Sequence, residues 1–416
     1  MMRKNEERTA APAQRRMLWG NLQSLPRNVV ALGVVSLLMG MSSQMTHSLL
    51  PLFLVTVLGA STVSVGVIEG IAAATDSIAR VFSGTLSDWL GRRKPLVVLG
   101  YGLAALSKPL FPLAGDVATV LAARFIDRTG KGIRDAPRDA LLADQLPPTV
   151  RGSGFGLRLT LFTIGSVVGP LAATGVMVAS GGDFRLVFWV AVVPAFLSVA
   201  VLVAAVKEPP NDRVNLARRF SLRELGRLPA LFWWIVSITA VLEVARFSQA
   251  FLLLKAKEVG VETAMVPTFL VLMSAVYGLT AYPCGILADH VNRRLQLGIG
   301  VITLMACHLV LAVAESMWMT AFGAVLWGLQ MGMIQGLLAA SVADAAPEHL
   351  RGTAFGIFYF VDGVASLLAS SGAGLLWVMG GSGLAFGIGA ALAAAVALML
   401  VVRPLPQPAP TDHRTG

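Results

Sequence analysis

The chain has 416 residues, 56% of them hydrophobic and only 13% charged, with 33 Lys and Arg against 23 Asp and Glu and a formal net charge of +10. A mean hydropathy of +0.73 excludes an ordinary water-soluble domain, in which about a quarter of residues are charged. The basic balance invites a nucleic-acid reading, but the Lys and Arg residues cluster in short segments between long apolar runs, which excludes it.

A bilayer core about 30 Å thick needs about 20 apolar residues per helix. Twelve spans are predicted, at 29–58, 62–86, 95–114, 117–143, 153–180, 184–206, 229–255, 265–288, 295–314, 317–343, 352–379 and 382–402. Helices satisfy their own backbone groups, as lipid demands, and short gaps make them antiparallel neighbours. The expected fold is therefore an all-α integral membrane protein. Cysteine usage, Cys284 and Cys307 only, offers neither a disulfide framework nor zinc spacing.

In chain order, residues 1–28 are a polar, basic tail. The apolar run after it is too long for a signal peptide core, so a retained first helix is expected. That helix contains MGMSSQMTHSLLP, Met39 to Pro51, with polar Gln44, Thr46 and His47 and a proline that interrupts the hydrogen-bond ladder. A broken polar helix in a membrane lines a cavity. His47 with Met39, Met41 and Met45 also offers soft ligands for Cu(I). Methionine more often fills packing gaps, and no second cluster has ligand spacing, so no metal site is expected.

The second span carries Glu69, Asp76 and Arg80 on one helical face. A charge at membrane depth costs about 2.5–3.5 kcal/mol on insertion scales, so each needs a partner or a task. Asp76 and Arg80 can pair within the helix. Glu69 has no sequence-local partner and is either a hydrogen-bonded structural carboxylate or a protonatable gate. After the span comes GTLSDWLGRRKP, residues 84–95, a cluster of Asp88, Arg92, Arg93 and Lys94 in an otherwise apolar region.

The fourth span is the most charged, with Arg124, Asp127, Arg128, Lys131, Arg134, Arg138 and Asp139 within sixteen residues. Arg124 and Asp127 fit an internal ion-pair scaffold and a proton-coupling site equally well. Residues Lys131 to Asp139 are expected near the cytoplasmic face, as a latch or a surface. The seventh span carries Glu243 and Arg246, three apart on one face, which is either a proton- or cation-binding site or a neutralised pair, with Ser248 and Gln249 as hydrogen-bonding neighbours. Arg158 in the fifth span and Asp362 in the eleventh offer a pair between the two halves of the chain. His308 beside Cys307 reads as core.

The chain repeats itself. Gly84-x-Leu86-x-Asp88 and Arg92-Arg93 match Gly285-x-Leu287-x-Asp289 and Arg293-Arg294 at an offset of 201. Asp144, Arg151-Gly152 and Phe155-Gly156 match Asp344, Arg351-Gly352 and Phe355-Gly356 at an offset of 200. Such self-similarity dictates architecture: two tandem halves of six helices, 29–206 and 229–402, joined by the polar link 207–228 and ending in the Pro-rich tail 403–416. The repeated Gly, Asp and Arg cluster reads as a latch whose charges pair in one arrangement of the halves and hydrate in another.

GTLSDWLGRRKP resembles the loop 2–3 signature of the major facilitator superfamily, and GILADHVNRRLQ its degenerate loop 8–9 copy. The resemblance implies two pseudo-symmetric six-helix halves around a midplane site that work by rocking; the superfamily is a standing instance of that architecture. Arg128-Thr-Gly130-Lys-Gly132 resembles the family's fourth-helix signature. GSVVGPLAA, Gly165 to Ala173 with Gly169 and Pro170, resembles the fifth-helix signature of its drug/proton antiporters, with Ala172-Ala173 where glycines usually stand; ordinary small-residue packing is the other reading of it. RFIDRTGKGIRDAPRDALLAD is similar to a broad bacterial group that commonly has acidic residues where Gln44 and Phe162 stand here.

GKG at 130–132 lacks P-loop spacing, and no catalytic constellation or cofactor site is present in the sequence. The expected activity is secondary transport by alternating access, most directly proton-coupled efflux of a small organic solute, the alternative being proton-coupled or facilitated uptake of a small nutrient or metal chelate. A non-transporting sensor is disfavoured by the second copy of the latch. Basic segments alternate with nearly charge-free connections, so the positive-inside bias places both termini in the cytoplasm of a bacterial inner membrane. The expected partners are the small-molecule substrate, protons and the lipid bilayer, with a monomer implied by the resemblance.

Overall fold

A computed structural model describes residues 26–90, 92–146, 151–208, 228–290, 293–347 and 350–402. Every regular element among them is helical. α1 is Arg27–His47, continued after a break by Leu50–Leu52 and a π turn, Phe53–Val57. α2 is Thr62–Leu90; α3 is Lys94–Ser107, continued by Leu110–Leu113; α4 is Val117–Asp144; α5 is Arg151–Ala179; α6 is Phe184–Ala205. α7 is Ala230–Ala245, continued by Ala250–Glu258; α8 is Thr268–His290, α9 Arg293–Ala312 and α10 Met317–Ala345. α11 and α12 divide Arg351–Val402 at Gly380 and Gly381, where φ reaches 76° at Gly381 and favours glycine.

Ten spans among the described residues are long and apolar enough to cross a membrane. One of them, Ala354–Val402, is the α11–α12 pair. α4 is long enough but too charged to qualify, and it packs between α2 and α3. The twelve expected helices are thus present, with the expected break of the first near Pro51 and with interruptions in the third and seventh that the sequence reading ran straight through. In α1 the hydroxyls of Thr46 and Ser48 bond back to the carbonyls of Ser42 (3.3 Å) and Met45 (3.0 Å), and Pro51 lacks an N–H. In α7 the Ser248 hydroxyl instead accepts from the Ala250 N–H at 3.2 Å and opens the next segment. Ser48 and Ser248 lie 200 positions apart, so both breaks obey the repeat. At the start of α4, Asp116 caps the helix by accepting from the Thr119 N–H (2.8 Å) and hydroxyl (3.1 Å). Those bonds hold its carboxyl below the ordinary carboxylate range.

Glycines set how closely the rods approach. Added β-carbons at Gly165 and Gly169 of α5 would stand 2.4 Å from the Leu37 carbonyl oxygen and 2.6 Å from that of Met41. GSVVGPLAA is therefore a packing seam against α1, and α5 continues through Pro170. Between the halves, α2 lies on α11, where a β-carbon at Gly66 would meet the Ser370 carbonyl oxygen at 2.1 Å.

The two halves touch unequally. Asn28 donates to the Lys207 carbonyl at 3.1 Å, so the first half begins and ends at one end of the molecule, the end at which the described residues begin. There Glu208 accepts from the N–H groups of Arg93 (2.5 Å) and Lys94 (3.1 Å), capping α3, and Arg93 pairs with Asp144 at 2.5 Å. At this end the cores are separate: one contains Val29, Leu32, Tyr101 and Leu202, the other Leu228, Phe232, Leu350 and Leu400. At the far end a single apolar cluster runs across both halves, from Leu49 and Phe53 to Phe251, Trp327 and Phe386. The halves are joined at the far end and parted at the end where the described residues begin.

Candidate functional site

Between the parted halves lies a cavity of about 610 Å³, floored by Phe247, Ala250, Leu253, Leu270 and Trp327 of the far-end cluster. Its first-half wall is charged, because α4 turns most of its ionisable residues toward α1 and α2. Its second-half wall is mixed: Phe247, Ala250, Leu253, Leu270, Trp327 and Met331 are apolar, while Glu243, Arg246, Ser248, Gln249, Asp362, Ser366 and Ser370 are polar.

Charges in the first half pair in tiers along α4. Arg124, only 2% exposed, donates to Glu69 of α2 and to His47 of α1. Arg128 approaches the same imidazole from the next turn, its Nη2 at 3.0 Å from Nε2. Asp127 stands between Lys108 and His47: its Oδ1 accepts from Lys108 at 2.8 Å, and its Oδ2 lies 3.8 Å from His47 Nε2; Lys108 also reaches Ser43 at 3.3 Å. One turn nearer the parted end, Asp76 holds Lys131 at 2.5 Å and Arg80 at 3.3 Å. Arg80 also reaches Asp135 at 3.3 Å, and Asp135 holds Arg138 at 2.8 Å. A buried charge is tolerable only when so paired.

In the second half, Arg246 at the α7 break donates to Glu243 three residues before it. Polar contacts cross between the halves. The Thr62 hydroxyl donates to the Gly374 carbonyl at 3.2 Å toward the far end, and three more stand nearer the cavity. Ser248 donates to Glu69 at 3.1 Å, Ser77 donates to Asp362 at 3.1 Å, and the Arg80 guanidinium stands 5.2 Å from the Tyr359 ring centroid. All three involve α2.

Glu69, Asp76, Arg124, Asp127, Glu243, Arg246, Gln44 and His47 all line this one cavity. Glu69 has its partner on α4, not on its own helix. Asp127 serves Lys108 and not Arg124. Lys131, Arg134, Asp135 and Arg138 line the cavity as an interior network instead of forming a surface, because α4 packs between α2 and α3 with this face inward. Arg158 and Asp362 do not pair with each other: Arg158 lies 3.6 Å from Asp139 of its own half, and Asp362 is taken by Ser77. Among the described residues no group of three or more His, Cys, Asp or Glu could hold a metal. Of the latch, the side chains of Asp88, Asp289 and Arg293, and the surroundings of Gly285, lie outside the described residues. Arg92 and Arg294 are exposed, and Gly84 sits 3.7 Å from the Ala136 β-carbon.

Sequence reasoning did not single out Asp135, which pairs with Arg80 and Arg138, and it missed Lys108 altogether. Lys108 is a lone charge in an apolar run with no carboxylate three or four positions away, and its partner is nineteen residues on. The available signal was the Lys-Pro step, 108–109, inside a predicted span.

Two helical bundles meeting at one end around a charged central cavity define a polytopic membrane protein of transporter architecture. The chain belongs to the Major Facilitator Superfamily, whose family model matches residues 32–256 and 235–416. An uncharacterized MFS-type transporter of Methanocaldococcus jannaschii is 32% identical over 363 residues, covering 86% of this chain and 90% of that protein. The inner membrane transport protein YajR of Escherichia coli is 25% identical, covering 83% and 74%. Among solved structures, a peptide transporter in complex with sulfate superposes with a TM-score of 0.74 at 14% identity, covering 91% of this chain and 95% of that one. The nucleoside transporter NupG superposes at 0.73 and 12%, covering 90% and 99%. At such identities these two show the shared fold. The protein is a membrane transporter of the MFS type and not an enzyme.

Proposed function

We propose that this transporter couples proton entry to the export of a small organic solute across a bacterial cytoplasmic membrane, with both termini in the cytoplasm. Residues 1–206 rock against residues 229–416, exposing the cavity to each side in turn. The observation that carries the reading is the position of Glu69: it is a cavity carboxylate held by Arg124 of its own half and by Ser248 of the other. A proton on Glu69 weakens the first bond and changes the second, so its two protonation states favour different arrangements of the halves, which is what coupling requires. Glu243, held by Arg246, offers the second half's own carboxylate to the same cavity. The charge distribution supports this orientation, in which the parted end faces the cytoplasm and the cavity loads from inside. The resemblance of GSVVGPLAA to the antiporter signature supports export.

A growth panel tests the proposal. Wild type and Glu243→Gln are expressed in a strain stripped of its own efflux pumps and exposed to toxic organics, metals and antimetabolites. Tolerance that disappears in the variant is the expected result. Sensitisation by the wild type reverses the direction to uptake and overturns export.

A further inference from the structure

We infer that the solute is an organic anion with an apolar or aromatic body, its anionic group held by Arg128. The inference rests on the transport reading and adds the chemical class of what is carried. Eight Lys and Arg against six Asp and Glu line the cavity; behind the lining, Lys108 pairs with Asp127 and Asp139 with Arg138 and Arg158, so the surplus of two positive charges stands. A positive surplus therefore faces the bound solute.

The surplus has an address. Arg128 has no carboxylate within salt-bridge distance among the described residues; its Nη2 rests 3.1 Å from Nδ1 and 3.0 Å from Nε2 of His47, an imidazole that Arg124 already engages. Two guanidiniums sharing one imidazole repel, and an anion at Arg128 relieves that repulsion. Further along α4, Arg134 lines the same cavity at 7% exposure, with Nε and Nη1 lacking hydrogen-bond partners. Among the described residues its one carboxylate contact is with Asp135 at 3.8 Å, and its guanidinium stands 4.2 Å from the Tyr101 ring centroid. Buried donors without acceptors are unfavourable, and a nearby anion offsets this. The facing wall sets the rest of the solute. Trp327, Phe247 and Met331 present apolar surface, and Trp327 occupies the position 200 residues after Asp127. A cationic amphiphile would set its charge against the unneutralised arginine, and a neutral one would leave it unpaired.

The test uses the purified full chain in nanodiscs of zwitterionic lipid and three probes with one skeleton: 4-phenylbutyrate, 4-phenylbutanol and 4-phenylbutylamine. Affinities are read by calorimetry without a proton gradient. The carboxylate is expected to bind about tenfold tighter than the alcohol, the scale of one charge-assisted bond, with the amine weakest. Arg128→Gln should erase the preference for the acid, and Arg128→Lys, which keeps the charge and loses the planar fork, should retain part of it. An amine that binds as tightly as the acid, an acid no tighter than the alcohol, no binding by any probe, or a preference that survives Arg128→Gln overturns the inference. If Arg128→Gln is not monodisperse, the wild-type ranking and the Arg128→Lys protein decide. The ranking is measured without transport, so failure of export in cells with the ranking intact removes only the export reading. Glu243-dependent export of cations alone removes only the anion.

Discussion

Replacing Gly66 by alanine should shift the balance between the two cavity-open states without unfolding either half. The new β-carbon would stand 2.1 Å from the Ser370 carbonyl oxygen, 3.0 Å from its carbon and 3.3 Å from the Ser371 Cα, where ordinary contact begins at 3.4 Å. All three atoms are backbone of a continuous helix, so no side chain can swing aside. α2 and α11 must separate by more than an ångström. Overpacking of this kind costs about 1–3 kcal/mol, which as a conformational bias is a factor of about 5–150. The cost falls only on the arrangement in which the far end is shut, because Gly66 and Ser370 belong to different halves.

Gly130 makes the control. Its β-carbon would meet the Gly100 carbonyl oxygen at 2.5 Å, but both glycines lie in the first half, so Gly130→Ala should lower stability in every arrangement equally. The assay is labelling of a single cysteine placed at Gln44, on the cavity wall, with Cys284 and Cys307 replaced. A membrane-impermeant thiol reagent is applied from the far side. Gly66→Ala should accelerate labelling by the factor above, and Gly130→Ala should lower the unfolding temperature and leave the rate alone. Equal far-side rates for Gly66→Ala and its parent would refute the claim that this seam holds the far end closed.

Transport by Glu243→Gln should show a weakened pH dependence, measured as initial rates in proteoliposomes across a pH series; an unchanged profile would make Glu243 structural and leave the coupling to Glu69. Asp88→Asn should insert normally and transport slowly, and a normal rate would remove the latch reading of residues 84–95. Asp127→Asn should strand the Lys108 ammonium, which is 1% exposed, at about 3–5 kcal/mol. It should appear as loss of folded yield that Lys108→Met restores in the double variant, and equal yields for the single variant and wild type would contradict the pairing.

Length and apolarity were enough to place every rod but the charged α4, since lipid leaves the backbone few choices. The α7 break was not legible by periodicity, because VLEVARFSQAF contains no proline or glycine; only its register with Ser48 marks it. The cavity was legible as a set of polar residues on several spans but not as pairs. Glu69 finds Arg124 55 positions away, and Asp127 chooses Lys108 over the nearer Arg124. Those choices depend on which faces of α1, α2, α3 and α4 meet, and that is decided by glycines such as Gly100, Gly130 and Gly132, whose partners lie on other helices. The interior placement of Lys131 to Arg138 follows from the same packing.

The repeat explains why one half is charged and the other aromatic. Position 108 in the first half and position 308 in the second both brace the broken first helix of their own half. Lys108 bonds Ser43 of α1, while His308 Nε2 donates to the Ala245 carbonyl at 3.0 Å, a carbonyl that an unbroken α7 would have bonded to the N–H of residue 249. The brace is common to both; its chemistry is not. A lysine there demands a buried counter-charge, and Asp127 supplies it. A histidine bonded to a carbonyl makes no such demand, so position 327 is free to be tryptophan, and His308 stacks at 5.1 Å on Phe247 and edge-on at 5.7 Å to Trp327. Glu69 likewise corresponds to Phe269, buried in the far-end core. Three positions reverse the trend: Ser43 corresponds to Glu243, Thr46 to Arg246 and Phe162 to Asp362, so the second half carries its own cavity charges where the first half is uncharged. A symmetric scaffold thus carries an asymmetric site: the first half holds most of the charge network, and the second supplies Phe247, Trp327 and Met331 with the Glu243–Arg246 pair at the break of α7 and Asp362 of α11.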